Sequence, residues 1–167
     1  PEHFIKVLDP PNNYQGSQKL YVENQSAYIR IIDDHNDILP IKHKIHEIPE
    51  ILPDSLEKAI MNFILVCVIR FLRGDETQHN SMLVNVSRFT GVQSHVRILI
   101  HDFLSEVVDS IKGNFALSED EALKNKHINT LFELFKNEYS EVEFSWKEIQ
   151  KNLKNASSKI QTIEVNG

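Results

Sequence analysis

Several hydrogen-bonding and cationic side chains follow a short apolar segment near the middle of the chain. The segment spans residues 81–87, and Ser87, Arg88, Thr90 and Gln93 come at its end, where a helical pattern begins. Hydroxyl, guanidinium and amide groups beside a helix N-terminus can bind phosphate and other anions. The order of residues therefore predicts an edge where an anion or another ligand binds. The alternative is a capping turn with one exposed arginine.

Two further candidates precede the same segment. His79 and Asn80 lie between a predicted helix end at Gly74 and residue 81. Both lead into the apolar segment, and we include them in the predicted site.

Other chemistry has weaker support in the sequence. The most plausible suppliers of the paired carboxylates that a magnesium-dependent nuclease needs are Asp33, Asp34, Glu141 and Glu143. Predicted strands do not bring these residues together, so surface charge is the favoured interpretation. No catalytic residue is assigned.

Histidines form one local grouping, His43-x-x-His46, with His35 nearby. Metal binding needs three or four converging ligands, and no helix face is predicted there to present them. We therefore predict a solvated loop and no metal site.

Composition limits the class of protein. The chain has 167 residues, 41% of them hydrophobic, and a formal net charge of −6. These values are typical of one globular domain and do not show the basic excess of a free-standing nucleic-acid binder. The single cysteine excludes a disulfide scaffold. No signal sequence or membrane-length apolar run is seen, so a cytoplasmic protein without a membrane partner is expected. The first residue, Pro1, suggests a piece of a longer protein.

Four helices are predicted from apolar residues at helical spacing. They begin near residues 55, 90, 118 and 145, each at a capping-box pattern in which Asp, Ser or Thr precedes Glu or Gln by three positions. The first is apolar nearly all round, which predicts burial, and Gly74 is its expected stop.

Two apolar segments, 82–87 and 159–165, predict buried strands. A strand, a set of helices and a second strand imply a right-handed crossover and a parallel pair. We therefore predict a helix-rich α/β fold with a small parallel sheet. Residues 1–53 form an irregular N-terminal segment with short strands at 4–8 and 28–32, and residues 54–167 form the core.

The residues at 79–93, which read HNSMLVNVSRFTGVQ, resemble the Z1 domain family of bacterial proteins described as endonucleases. Further similarity lies at Phe4-Ile5, at Pro11-x-x-Tyr14-x-Gly16, and across residues 52–74. The resemblance is clear up to about residue 100, and residues 113–157 carry no family signature.

The resemblance implies a place in restriction-modification or phage defence. It implies a parent protein that engages DNA together with a superfamily-two helicase-like ATPase, and partners such as a DNA methyltransferase or a MutL-like ATPase. Residues from 79 onward would then begin a RecA-like helicase domain. The residues implied to contact DNA or the facing domain are Ser87, Arg88, Thr90, Gln93, His79 and Asn80. ATP and magnesium are implied for the parent protein only. The chain lacks a phosphate loop, so we expect this part alone to be inactive and to hold no cofactor.

A different class of function is also open. The helices between residues 92 and 153 could instead dock partner subunits as a module without chemistry. An exposed apolar patch on those helices would favour docking, and a basic groove beside residue 88 would favour contact with DNA.

Overall fold

A computed structural model describes residues 16, 18, 21–22 and 28–165. Contacts divide the chain into two units, residues 1–33 and 34–167, and the fold described below belongs to the second. The strand predicted at 4–8 and its neighbouring similarity to Z1 proteins at Pro11 and Tyr14 lie outside the described residues.

Five helices are found within residues 34–165. They are α1 (Asp54–Leu72), α2 (Thr90–Asn114), α3 (Glu119–Ala122), α4 (Lys126–Glu138) and α5 (Trp146–Ser157). The four helical patterns are thus confirmed, except that the third divides into α3 and α4. Among the described residues, none of these helices has the length and apolarity to cross a membrane.

The core surrounds α1, as its nearly all-round apolar sequence predicts. This helix contacts α5 most extensively and α4 next, while α2 packs against α4 and α5. Side chains with essentially no exposed surface come from every long helix. They include Ile64, Leu65, Val68, Val107, Ile111, Ile128, Leu131, Ile149 and Leu153.

The end of α1 is closed by a Schellman motif. Gly74 adopts a positive φ of 87°, which glycine tolerates without the penalty of a Cβ atom. The Asp75 N–H donates to the Arg70 carbonyl and the Gly74 N–H donates to the Phe71 carbonyl, both at 3.0 Å. These bonds satisfy carbonyls that the helix leaves free and turn the chain out of the core.

Helix starts agree less well with the predicted capping boxes. Only Ser145 and Glu148 form one, with the serine N–H donating to the carboxylate at 2.8 Å. At α1, the carboxylate of Asp34 instead accepts the Ser55 N–H and hydroxyl at 2.8 and 2.7 Å. A residue 21 positions upstream therefore caps this helix.

The predicted α/β fold is wrong. The described residues contain no strand and no sheet; residues 28–32, 82–87 and 159–165 do not pair with any described strand. Because a RecA-like domain is built on a sheet, that part of the fold prediction falls with it. Within the described part the fold is all-helical, and the connections between helices contain turns and stretches without regular secondary structure.

Exposure explains why the two apolar segments are not buried strands. Leu83 is 89% exposed, Ile163 is 74% exposed and Val165 is 79% exposed. The segment near residue 164 packs on α2 through side chains: the Ser94 hydroxyl donates to Glu164 at 2.8 Å, and Arg97 lies 3.7 Å from the same carboxylate. Side-chain contacts with a helix thus hold this segment where sheet pairing was expected.

A matched pair of substitutions tests this correction. Leu65→Ala, in the centre of α1, should reduce the free energy of unfolding by about 2–5 kcal/mol, because it leaves a cavity among buried side chains. Leu83→Ala should change it by less than about 0.5 kcal/mol, because that side chain is already in solvent. Urea unfolding measures both values. A comparable loss for Leu83→Ala would mean that its segment is buried after all.

His127 gives the fold a pH dependence. Its imidazole packs edge-on against Phe103, with ring centroids 5.9 Å apart, and its Nδ1 is buried without a partner. Burial is the main cause that lowers the pKa of His127, and the nearby Lys126 lowers it further. The neutral imidazole is therefore favoured in the folded state.

We expect this contribution to stability to be complete above the ordinary histidine pKa of about 6.5 and to be lost as the pH falls through the lower folded value. His127→Phe should flatten the decline in unfolding free energy between about pH 7 and 5. His46→Phe, on an exposed loop, is the control and should retain that decline. Denaturant titrations across this range make the comparison, and equal slopes for wild type and His127→Phe would contradict the expectation.

Candidate nucleic-acid contact site

Two distant segments meet through the side chains of His43 and Ser87. His43 Nε2 lies 2.7 Å from Ser87 Oγ, and His43 Nδ1 lies 2.8 Å from the Pro40 carbonyl oxygen. Because a carbonyl only accepts, the neutral imidazole carries its proton on Nδ1 and accepts the Ser87 hydroxyl proton at Nε2. Both residues are buried, with 7% and 8% of their surfaces exposed.

Phe89 completes the turn that leads from Ser87 into α2. Its N–H donates to Ser87 Oγ at 3.0 Å, and the His43 ring packs edge-on against its ring at 5.7 Å. The Arg88 guanidinium lies over the Phe89 ring, 4.9 Å from the ring centroid. Cation–π contact limits the positions that the guanidinium can take.

The two joined segments form the walls of an open cleft of about 540 Å³. One wall has Ile41, Lys42 and His43; the other has residues 85–88. Lys42 and Arg88 are exposed, so the cleft offers two cations to solvent. The 25-residue helix α2 begins at Thr90, two residues after Arg88, and has no acidic residue in its first turn, so the positive end of its dipole adds to the charge of Arg88. These charges suit an anion.

The predicted site residues separate into two groups. Ser87 and Arg88 line the cleft. The Gln93 amide donates to the Ser87 carbonyl, so this side chain supports the turn, and Thr90 is exposed as the first residue of α2.

His79 and Asn80 lie at the other end of the segment that connects α1 to α2. The Arg70 guanidinium reaches the Asn80 side-chain oxygen, and the His79 carbonyl is 3.5 Å away. This arrangement joins the two residues to the end of α1 and gives them a structural partner there.

Sequence reasoning missed the wall that carries Lys42 and His43. The prediction of a solvated loop was wrong for His43, whose ring is buried, although His46 is exposed. The feature of the sequence that pointed to this wall was the pair His43-x-x-His46. Its partner, Ser87, is 44 positions away and could not be identified from local spacing.

The acidic nuclease candidates do not form a centre. Asp34 caps α1, and Glu143 accepts two hydrogen bonds from the Arg73 guanidinium, at 2.6 and 2.7 Å. Within the part of the chain that the structure describes, no three or more His, Cys, Asp or Glu side chains are grouped as metal ligands would be. The geometry therefore gives Asp34 and Glu143 structural roles.

Glu143 supplies a test of that role. The hydrogen bonds from Arg73 are the main cause that lowers the pKa of Glu143 to about 2. A lowered carboxylate pKa stabilises the folded state above the ordinary value of about 4.3, and that stabilisation is lost as the pH falls towards 2. Glu143→Gln should lower the thermal midpoint at pH 7, and the difference from wild type should shrink steadily below about pH 4. A pH-independent difference would assign the effect to packing.

A family model described as the Z1 domain matches residues 55–167. Comparison with curated proteins and with solved structures gives no match.

Proposed function

The chain belongs to the Z1 domain family, and on that premise we propose that it contacts the phosphate backbone of DNA within a restriction-modification or phage-defence protein. The cleft between residues 41–43 and 85–88 is the contact surface. In this role the chain binds and orients DNA, and it contributes no catalytic group of its own.

The observation that carries this proposal is the placement of Lys42 and Arg88 along one cleft whose walls are bonded together. Lysine offers a compact charge, while the arginine fork can bind two oxygens of one phosphate. Asn85 adds an exposed amide on the same surface. Backbone phosphates are common to all DNA sequences, so contacts of this kind position DNA without reading its bases.

The net charge of −6 limits the strength of this contact. The overall acidic field opposes a polyanion at long range, and the local cations act only within about 10 Å at moderate salt. We therefore expect weak binding that weakens further as salt is added. In the proposed setting, a helicase-like ATPase uses ATP and magnesium, and a methyltransferase or MutL-like ATPase is a partner; these assignments rest on the family resemblance.

A second candidate function is docking to another protein. Its support is the set of apolar side chains on extended segments, including Leu83, Ile163 and Val165. Among the described residues between 92 and 153, the large apolar side chains that are exposed are Ile98, on α2, and Leu117, in the connection between α2 and α3. Docking through the helices of this range is therefore less well supported than contact through the cleft.

Two substitutions test the backbone contact. Lys42→Ala and Arg88→Ala should each weaken binding of the full chain to a fluorescein-labelled DNA duplex by roughly two- to fivefold, as expected for an exposed charge pair. Each should also reduce the slope of log affinity against log salt by about one, because one phosphate contact is lost. Fluorescence anisotropy between 25 and 200 mM salt (about one decade of ionic strength) measures both effects.

Lys147→Ala is the matched control, since it removes an exposed lysine from α5, far along the chain from the cleft. It should leave the salt slope nearly unchanged. Duplexes of unrelated sequence should respond alike. Unchanged affinity and salt slope in both cleft variants would contradict the proposed function. Loss of binding to a partner protein on substitution of Leu83 would favour docking.

A further inference from the structure

The family match begins at residue 55, whereas one wall of the cleft lies upstream of it. We infer that residues 40–43 are an integral half of the site, and that His43 is a positioning residue that holds Lys42 opposite Arg88 so that both contact one phosphate group. This inference rests on the proposed function and extends it to a segment outside the family match.

The upstream segment is fixed by side chains and tight turns, because it contains no helix or strand between residues 34 and 53. The Asp34 carboxylate holds its start against the first turn of α1. Leu52 is buried in the core near its end, and Leu39 packs against that core. Residues 34–167 accordingly form one unit by their contacts.

His43 makes the long-range polar contact between the walls. Its Nδ1 bond to Pro40 is local and fixes the ring within its own turn, whereas its Nε2 bond reaches Ser87. The same ring packs against Phe89, which carries the Arg88 guanidinium on its face. A single imidazole thus connects the backbone next to Lys42 with the surface that positions Arg88.

Two cations at a fixed separation bind one phosphate better than two that move independently, because less conformational freedom is lost on binding. Because His43 and Ser87 are buried, breaking the hydrogen bond between them would leave two buried polar atoms without partners, which costs free energy. The imidazole does not need to touch DNA to have this effect.

Substituting His43 with a shorter or a longer amide tests its local bond to Pro40 and its long-range bond to Ser87 separately. In His43→Asn the amide can still donate to the Pro40 carbonyl but is too short to reach Ser87. In His43→Gln the amide extends as far as Nε2 does and can accept the serine hydroxyl. His46→Asn, on the same loop, is the control. Circular dichroism melts of each full-chain variant verify that the helical core remains folded.

The first measurement needs no DNA. Amide exchange by NMR follows the Phe89 N–H, which donates to Ser87 Oγ, and the His43 N–H, which donates to the Pro40 carbonyl at 2.9 Å. We expect His43→Asn to speed exchange at Phe89 by several-fold, and Ser87→Ala to speed exchange at His43. His43→Gln should restore most of the protection, and His46→Asn should leave it intact. If His43→Asn leaves exchange at Phe89 unchanged and Ser87→Ala leaves exchange at His43 unchanged, the positioning role is overturned.

The second measurement is the duplex affinity and its salt slope. His43→Asn should weaken binding about as much as Lys42→Ala does, His43→Gln should recover it, and adding Lys42→Ala to His43→Asn should cost little more. Loss of binding in Arg88→Ala but not in His43→Asn would overturn this inference and leave the proposed function standing. Altered exchange at Phe89 with no dependence of DNA binding on Lys42, Arg88 or His43 would overturn the proposed function and the phosphate assignment, while supporting the connection between the walls.

Discussion

The burial of α1 is the constraint on which the remaining structure depends. A helix that is apolar on nearly every side cannot face water, so other helices must surround it. In this protein α4 and α5 cover it, with α2 packed on the same pair. The Schellman motif at Gly74 then directs the chain away from the core. The segment between α1 and α2, which carries Ser87 and Arg88, begins at that point.

Outside the helices, hydrogen bonds between side chains hold the connecting segments in place, where a sheet was expected to do so. Asp34 to Ser55, His43 to Ser87, and Glu164 to Ser94 each join positions that are far apart in sequence. Such bonds fix a segment at single points and leave most of its backbone in solvent. This explains how the cleft can be well defined on both walls and still be open.

The helices were predictable because their signal is local. Apolar residues at helical spacing and a glycine stop identified α1 within a residue at each end, since the same side chains that set the pattern are those that become buried. The strands were not predictable in the same way. A short apolar run is compatible with a buried strand, a buried helix or an exposed extension, and Leu83 and Ile163 show that only tertiary contacts decide among them.

The same limit applies to the candidate site. Arg88 was predicted as a site residue from its place beside a helix start, which depends on neighbouring residues only, and it lines the cleft. His43 and Lys42 were not predicted to line it, because their segment reaches the cleft through the contact of His43 with Ser87, across 44 positions. Likewise, the predicted cap of α1 used its own Asp54, whereas the observed cap comes from Asp34. Local rules identify the group that needs a partner but not the residue that supplies it.

The outward-facing isoleucine and valine near residue 165 have a consequence for colloidal behaviour. Backbone that belongs to no helix or sheet and is flanked by exposed β-branched side chains can pair with the backbone of another chain. Residues 159–165 contain no proline and no run of lysines that would hinder such pairing. The excess of carboxylates keeps molecules apart by mutual repulsion at neutral pH. Acidification removes that repulsion while the exposed apolar side chains remain, so mildly acidic, concentrated preparations are where fibrillar association should begin.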